Sequence, residues 1–213
     1  MEYAFHIYNK LATDGVTMAT DKLLCADIRN KFFKTAGAGL RSKIESKRFD
    51  EDDTPPVIVC VGSDLAIGDS LGPITGSMLK YKTQGLNVFL YGTLAAPVTA
   101  KEIKYMRTFL KETHPRAQVI AVDAAVGNEG DIGLIKIHDS PLLPGAGANK
   151  KLGAIGDLSI MGIVAEKSIA NYGLLNTTRL NLVYTMSEII SDALSSMLWE
   201  RCSRQKQNAQ KNA

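Results

Sequence analysis

Apolar residues in this chain fall into short runs and helical stripes that alternate from about residue 57 onward. Val57-Ile58-Val59-Cys60-Val61 is unbroken between Pro55-Pro56 and Gly62, the pattern of a strand buried on both faces of a parallel sheet. A glycine-punctuated loop follows, and the amphipathic run from Leu71 to about Lys82 predicts the first crossover helix, with Pro73 tolerated in its first turn. Asn87 to Tyr91, closed by Gly92, predicts a second strand. Thr99-Ala100-Lys101-Glu102 is a capping-box pattern. It opens a helix whose buried face carries Ile103, Met106, Phe109 and Leu110, and His114-Pro115 stops it. Ala117 to Val122 predicts a third strand, with Asp123 at its end.

Gly127 to Asp131 is a turn, and Ile132 to Ile137 reads as a shorter strand at or near an edge. Residues 138–156 form the longest irregular segment, of the length that is functional or mobile in a compact domain. Asp157 is expected to cap a helix carrying Ile160, Ile163 and Val164. Arg179 to Tyr184 reads as the last strand, leading into a helix with Met186, Ile189, Ile190, Ala193, Leu194, Met197 and Leu198 at 3.6-residue spacing. Before all of this, Leu24, Ile28 and Phe32 recur every four residues and suggest a helix ending near Gly37 to Gly39. Strands alternating with helices imply an α/β fold: three layers (α/β/α) around a doubly wound, mostly parallel sheet, phosphorylase/hydrolase-like.

The chain's 213 residues suit one α/β domain. The expected division is a helical segment and charged connector over 1–53, one α/β domain over 54–202, and a flexible basic tail over 203–213. No run approaches the ~18 apolar residues of a membrane span, and no signal-peptide core opens the chain, so a cytoplasmic location is expected. Cys25, Cys60 and Cys202 lie far apart, which indicates neither a disulfide framework nor a zinc ribbon. The net charge of +3 gathers partly in Arg201, Arg204, Lys206 and Lys211. Without interleaved aromatics that tail offers no evident nucleic-acid site.

Two aspartates, Asp69 and Asp123, each follow a hydrophobic strand and can converge over one edge of the sheet. A carboxylate pair can share a proton and supply a general base and a general acid. The same pair can instead hold a divalent metal. The plain alternative for Asp69 is a helix cap. Asp123 has no capping pattern after it, and a carboxylate beside a buried sheet is costly unless partnered or open to a cleft. Pro144-Gly145-Ala146-Gly147 with Lys150-Lys151 can cradle an anion or be a solvated loop. GxGxxG and GxxxxGK[ST] spacings are absent, and Ser70 lacks the GxSxG context of a nucleophile. His138 is the one histidine expected near the carboxyl edge of the sheet.

Gly68-Asp69-Ser70-Leu71-Gly72-Pro73 together with Val122-Asp123-Ala124 resembles the spore germination protease, whose aspartates sit in a D-x-L-G-P segment and a later D-A strand end. The pair also resembles the hydrogenase maturation endopeptidases, although His138 follows Asp123 too soon to match their metal-binding histidine. From about residue 30 to 200 the chain looks most like the sporulation protein YyaC family. The resemblance implies a sporulation-associated peptidase with Asp69 and Asp123 catalytic and no required cofactor. It places Ser70, Gly92, Pro97, Gly145 and Gly147 on the substrate side. The implied partner is a protein or peptide, spore proteins included, in the spore or forespore compartment. The alternative is a non-catalytic sporulation protein of the same fold that binds a peptide or partner. Leu24, Ile28 and Phe32 can pack on the domain or in a homo-oligomer.

Overall fold

In the computed structural model, residues 54–145, 152–167 and 178–211 are described. The expected N-terminal helix, the charged connector up to residue 53, and Gly147 lie outside them. Among the described residues, three α-helices and five strands form the frame: β1 (Val57–Cys60), α1 (Leu71–Lys82), β2 (Phe89–Tyr91), α2 (Ile103–Thr113), β3 (Val119–Gly127), β4 (Ile135–His138), β5 (Leu158–Glu166) and α3 (Leu180–Lys211). The sheet order is β2-β1-β3-β5-β4. All pairings are parallel except β4 with β5.

Alternate residues of the central strands feed two cores. Ile58, Cys60, Ile120, Val122, Leu158 and Ile160 pack under α1 and α3. Val57, Val59, Val61, Val119 and Ala121 pack under α2 with Leu142 and Ile155. The fold is therefore the expected three-layer α/β protein. One half of the expected capping box forms just before α2: the Thr99 N–H donates to Glu102 Oε2 at 3.0 Å, while the Glu102 N–H goes to the Thr99 backbone carbonyl. Two contacts hold α1 against α3. Ser187 Oγ donates to the Leu71 carbonyl at 3.1 Å, and Lys82 Nζ reaches Ser191 Oγ at 2.8 Å as well as Asp192. No helix among the described residues is long and apolar enough to cross a membrane.

Four expectations are corrected. Residues 158–166 are a strand, not a helix capped by Asp157. Ile160, Ile163 and Val164 match a helical spacing because this strand is buried on both faces, which erases the two-residue alternation. The Asp157 carboxylate instead accepts the Val119 N–H at 2.8 Å, which ties the start of β3 to the entry of β5. Residues 180–184 begin α3 and are not a strand. Leu180, Leu182, Val183 and Tyr184 give a short apolar, β-branched and aromatic run, but burial falls on Val183, Met186, Ser187 and Ile190, a helical stripe. Finally, α3 continues to Lys211 through the stretch expected to fray. Its Gln, Lys and Ala residues are good helix formers.

Candidate functional site

β1 lies between β2 and β3. The chain leaves β1 into α1 on one face of the sheet, and it reaches β3 from β2 through α2 on the other. In open α/β sheets, ligands bind at such a switch point, outside the carboxyl ends of the strands. Asp69 and Asp123 both stand at this point.

Asp123 is not at the tip of β3, because that strand runs four residues further, alongside β5, to Gly127. β1, however, ends with Cys60 opposite Val122. Asp123 is thus the first β3 residue with no β1 neighbour, and only 8 % of it is exposed. Its Oδ1 accepts the Ala124 N–H at 2.8 Å. Burial, and then the charge of Asp69, push its pKa well above the ordinary carboxylate range, against the smaller opposing effect of the Ala124 N–H. Asp123 therefore keeps its proton at pH values where an exposed aspartic acid has lost it.

Asp69 lies half-buried in a 3-10 turn, Gly68–Ser70, between β1 and α1. Ser70, not Asp69, occupies the N-cap position of α1. The turn is seated from its backbone: the Asp69 N–H donates to the Ala66 carbonyl, and the Asp69 carbonyl accepts the Ser63 N–H, each at 3.0 Å. Beneath it is Gly62, at φ +140, where a Cβ would lie 2.1 Å from the Asp69 carbonyl oxygen. Only glycine permits that approach. In the sequence Gly62 marks the end of the buried strand, and its role as the seat of the Asp69 turn comes only from the fold. A glycine directly after a buried strand was the available signal.

The other candidates fall in different places. The Ser70 hydroxyl is buried and donates to the Ile67 carbonyl at 2.6 Å. Gly92, at φ +87, is a packing position against the Cys60 carbonyl. Pro97 is half-buried and precedes Val98, whose carbonyl accepts the Gly62 N–H at 3.0 Å, so it borders the Asp69 loop. Gly145 is at φ +73, beyond the Leu142–Ile155 bridge. His138 is corrected: β4 is antiparallel, so His138 pairs with Ser159 at the amino edge of the parallel strands, opposite the aspartates. Both ends of the 138–156 segment leave from that edge. Cys60 is fully buried, which pushes its thiol pKa upward and leaves it a core residue. Among the described residues, His, Cys, Asp and Glu form no group of three or more suited to a metal ion. Asp69 and Asp123 are the pair that could hold one.

A doubly wound α/β sheet with a buried, proton-holding carboxyl and a second carboxyl at its switch point defines a three-layer α/β protein with an acidic pair at the carboxyl edge. Residues 30–193 match the family described as "Protein of unknown function (DUF1256)", and the chain belongs to that family. It is 43% identical over 141 residues to "Uncharacterized protein YyaC" of Bacillus subtilis (strain 168), across 66% of this chain and 68% of that one. The likeness to the YyaC family expected over about residues 30 to 200 is borne out. The crystal structure of a NiFe hydrogenase maturation protease HycI from Thermococcus kodakarensis KOD1 is similar with a TM-score of 0.44 and 19% identity, over 68% of this chain and 92% of that one.

Proposed function

We propose that this chain is a peptidase in which Asp69 and Asp123 act together on a water molecule and a peptide bond. The observation that carries the reading is Asp123, a buried carboxyl whose proton is held by burial and by the charge of Asp69. Two carboxyls in unequal environments divide into an acid and a base. Asp69, as carboxylate, takes a proton from the attacking water, whose oxygen bonds to the peptide carbonyl carbon. Asp123 gives its proton to the departing nitrogen as the C–N bond breaks. The proton gained by Asp69 then replaces the one that Asp123 lost. A divalent cation between the two carboxylates is the alternative arrangement. It would require both to be ionised and would act by polarising the bound water. The substrate class is a protein or extended peptide, spore proteins included, in the spore-forming cell.

The second reading is a binding protein without cleavage. It is favoured by Leu65 and Ile67, exposed in the loop that carries Asp69, which suit the binding of a partner whether or not a bond is cut. Small acid-soluble spore proteins and labelled casein, incubated with the full chain and followed by mass spectrometry, separate the readings. Cleavage by the wild type, lowered about 100-fold or more by Asp69→Asn and by Asp123→Asn, supports the acid–base pair. Loss of activity with chelator selects the metal form. Cleavage that survives Asp123→Asn unchanged ends the aspartate-pair mechanism, and binding without cleavage selects the second reading.

A further inference from the structure

Large aliphatic side chains are exposed on the loop that carries Asp69 and on the loop bonded to it. Leu65 is 91 % exposed and Ile67 38 %, both in the loop that carries Asp69, and Leu94 in the neighbouring loop is 43 % exposed. A lone exposed leucine is ordinary. These three sit on two loops whose backbones are pinned. The Leu65 N–H donates to Ser63 Oγ at 3.2 Å, and the Leu94 N–H to Ser77 Oγ at 2.9 Å. The Gly62 N–H to the Val98 carbonyl joins one loop to the other at 3.0 Å. At the joint of the two loops Val61 and Val98 are already buried in the core, and the three aliphatic side chains lie outside it. Between Gly62 and Pro73 every charged side chain is acidic: Asp64, exposed, and Asp69. An incoming segment with basic residues is attracted there, and one with acidic residues is repelled.

We propose that Leu65, Ile67 and Leu94 form the recognition subsite of the carboxylate site, and that it takes an extended peptide in which an aliphatic side chain lies next to a basic one. The proposal rests on the peptidase reading above for its location, but its test does not depend on turnover. The probes are three fluorescein-labelled decapeptides, alternating Leu/Lys, Ser/Lys and Leu/Glu, titrated by fluorescence anisotropy against the full-length Asp123→Asn chain at low salt. The Leu/Lys peptide should bind about tenfold or more tighter than either other, the difference that burying aliphatic side chains makes. Leu65→Ser should remove most of that advantage and leave Ser/Lys binding unchanged. The side chain lies outside the core, so the variant stays folded. Equal binding of Leu/Lys and Ser/Lys, or indifference to Leu65→Ser, overturns the subsite. So does sedimentation showing a dimer that Leu65→Ser dissolves, because the rim would then be covered by a second copy. A wild-type chain that binds Leu/Lys as described but never cleaves it removes the peptidase reading and leaves the subsite standing.

Discussion

Gly92 and Gly85 allow the packing around the carboxyl edge to be measured by substitution. The two share almost the same backbone conformation, φ +87 and φ +83. A Cβ on Gly85 meets nothing within 4 Å, whereas one on Gly92 would lie 1.8 Å from the Cys60 carbonyl oxygen. Alanine at either position carries the left-handed cost of about 1–2 kcal/mol. At Gly92 it must also push apart two backbone segments, β1 and the loop leaving β2, and overpacking of that kind adds about 1–3 kcal/mol. Gly85→Ala should therefore lose about 1–2 kcal/mol and Gly92→Ala about 2–5 kcal/mol. For a chain of this size that corresponds to roughly 2–8 °C and 4–20 °C in Tm. Urea unfolding followed by circular dichroism reads both, provided the m-value is unchanged. Losses that agree within about 0.5 kcal/mol would refute the close approach of Gly92 to Cys60, and with it the structural role assigned to Gly92.

Asp123→Asn should stabilise the protein at neutral pH. The folded pKa is raised, so between the unfolded carboxyl pKa and the folded one only the folded chain keeps the proton, and wild-type stability falls as pH rises through that window. The variant's Tm advantage should be near zero below about pH 4 and grow toward neutrality, each tenfold gain in proton affinity being worth ~1.4 kcal/mol. An advantage constant with pH would refute the linkage. Asp157→Ala should lower the urea-derived stability by about 1 kcal/mol, since it leaves the buried Val119 N–H without its side-chain acceptor. No change would mean that water replaces the carboxylate.

The first half of the domain was legible because its signals are local. Val57 to Val61 is bounded by Pro and Gly, Leu71 starts an amphipathic run, and Thr99 with Glu102 marks the entry to α2. The two aspartates stood out for the same reason, since each follows an apolar run, although β3 itself continues four residues past Asp123. The second half was misread where tertiary burial overrides period. Leu158 to Ala165 lies deep in the sheet, and an apolar run buried on both faces has no alternation to distinguish it from a helix. Taking it as a helix then left Arg179 to Tyr184 to serve as the missing strand. The direction of β4 had a readable cue: Asn128 to Leu134 is too short for the crossover that a parallel strand needs. Asp157 looked like a cap because its real partner, the Val119 N–H, is 38 residues away in sequence.

If Asp123 and Asp69 form one electrostatic unit at the switch point of the sheet, the titration of one must respond to the other. Carbon-detected NMR of the chain labelled at aspartate Cγ, titrated as wild type and as Asp69→Asn, follows both carboxyls. Asp123 should titrate well above the ordinary carboxylate range. Its pKa should fall when the Asp69 charge is removed, yet stay raised because burial is the larger cause. An Asp123 that titrates like an exposed aspartate, or one that does not respond to Asp69→Asn, would contradict it.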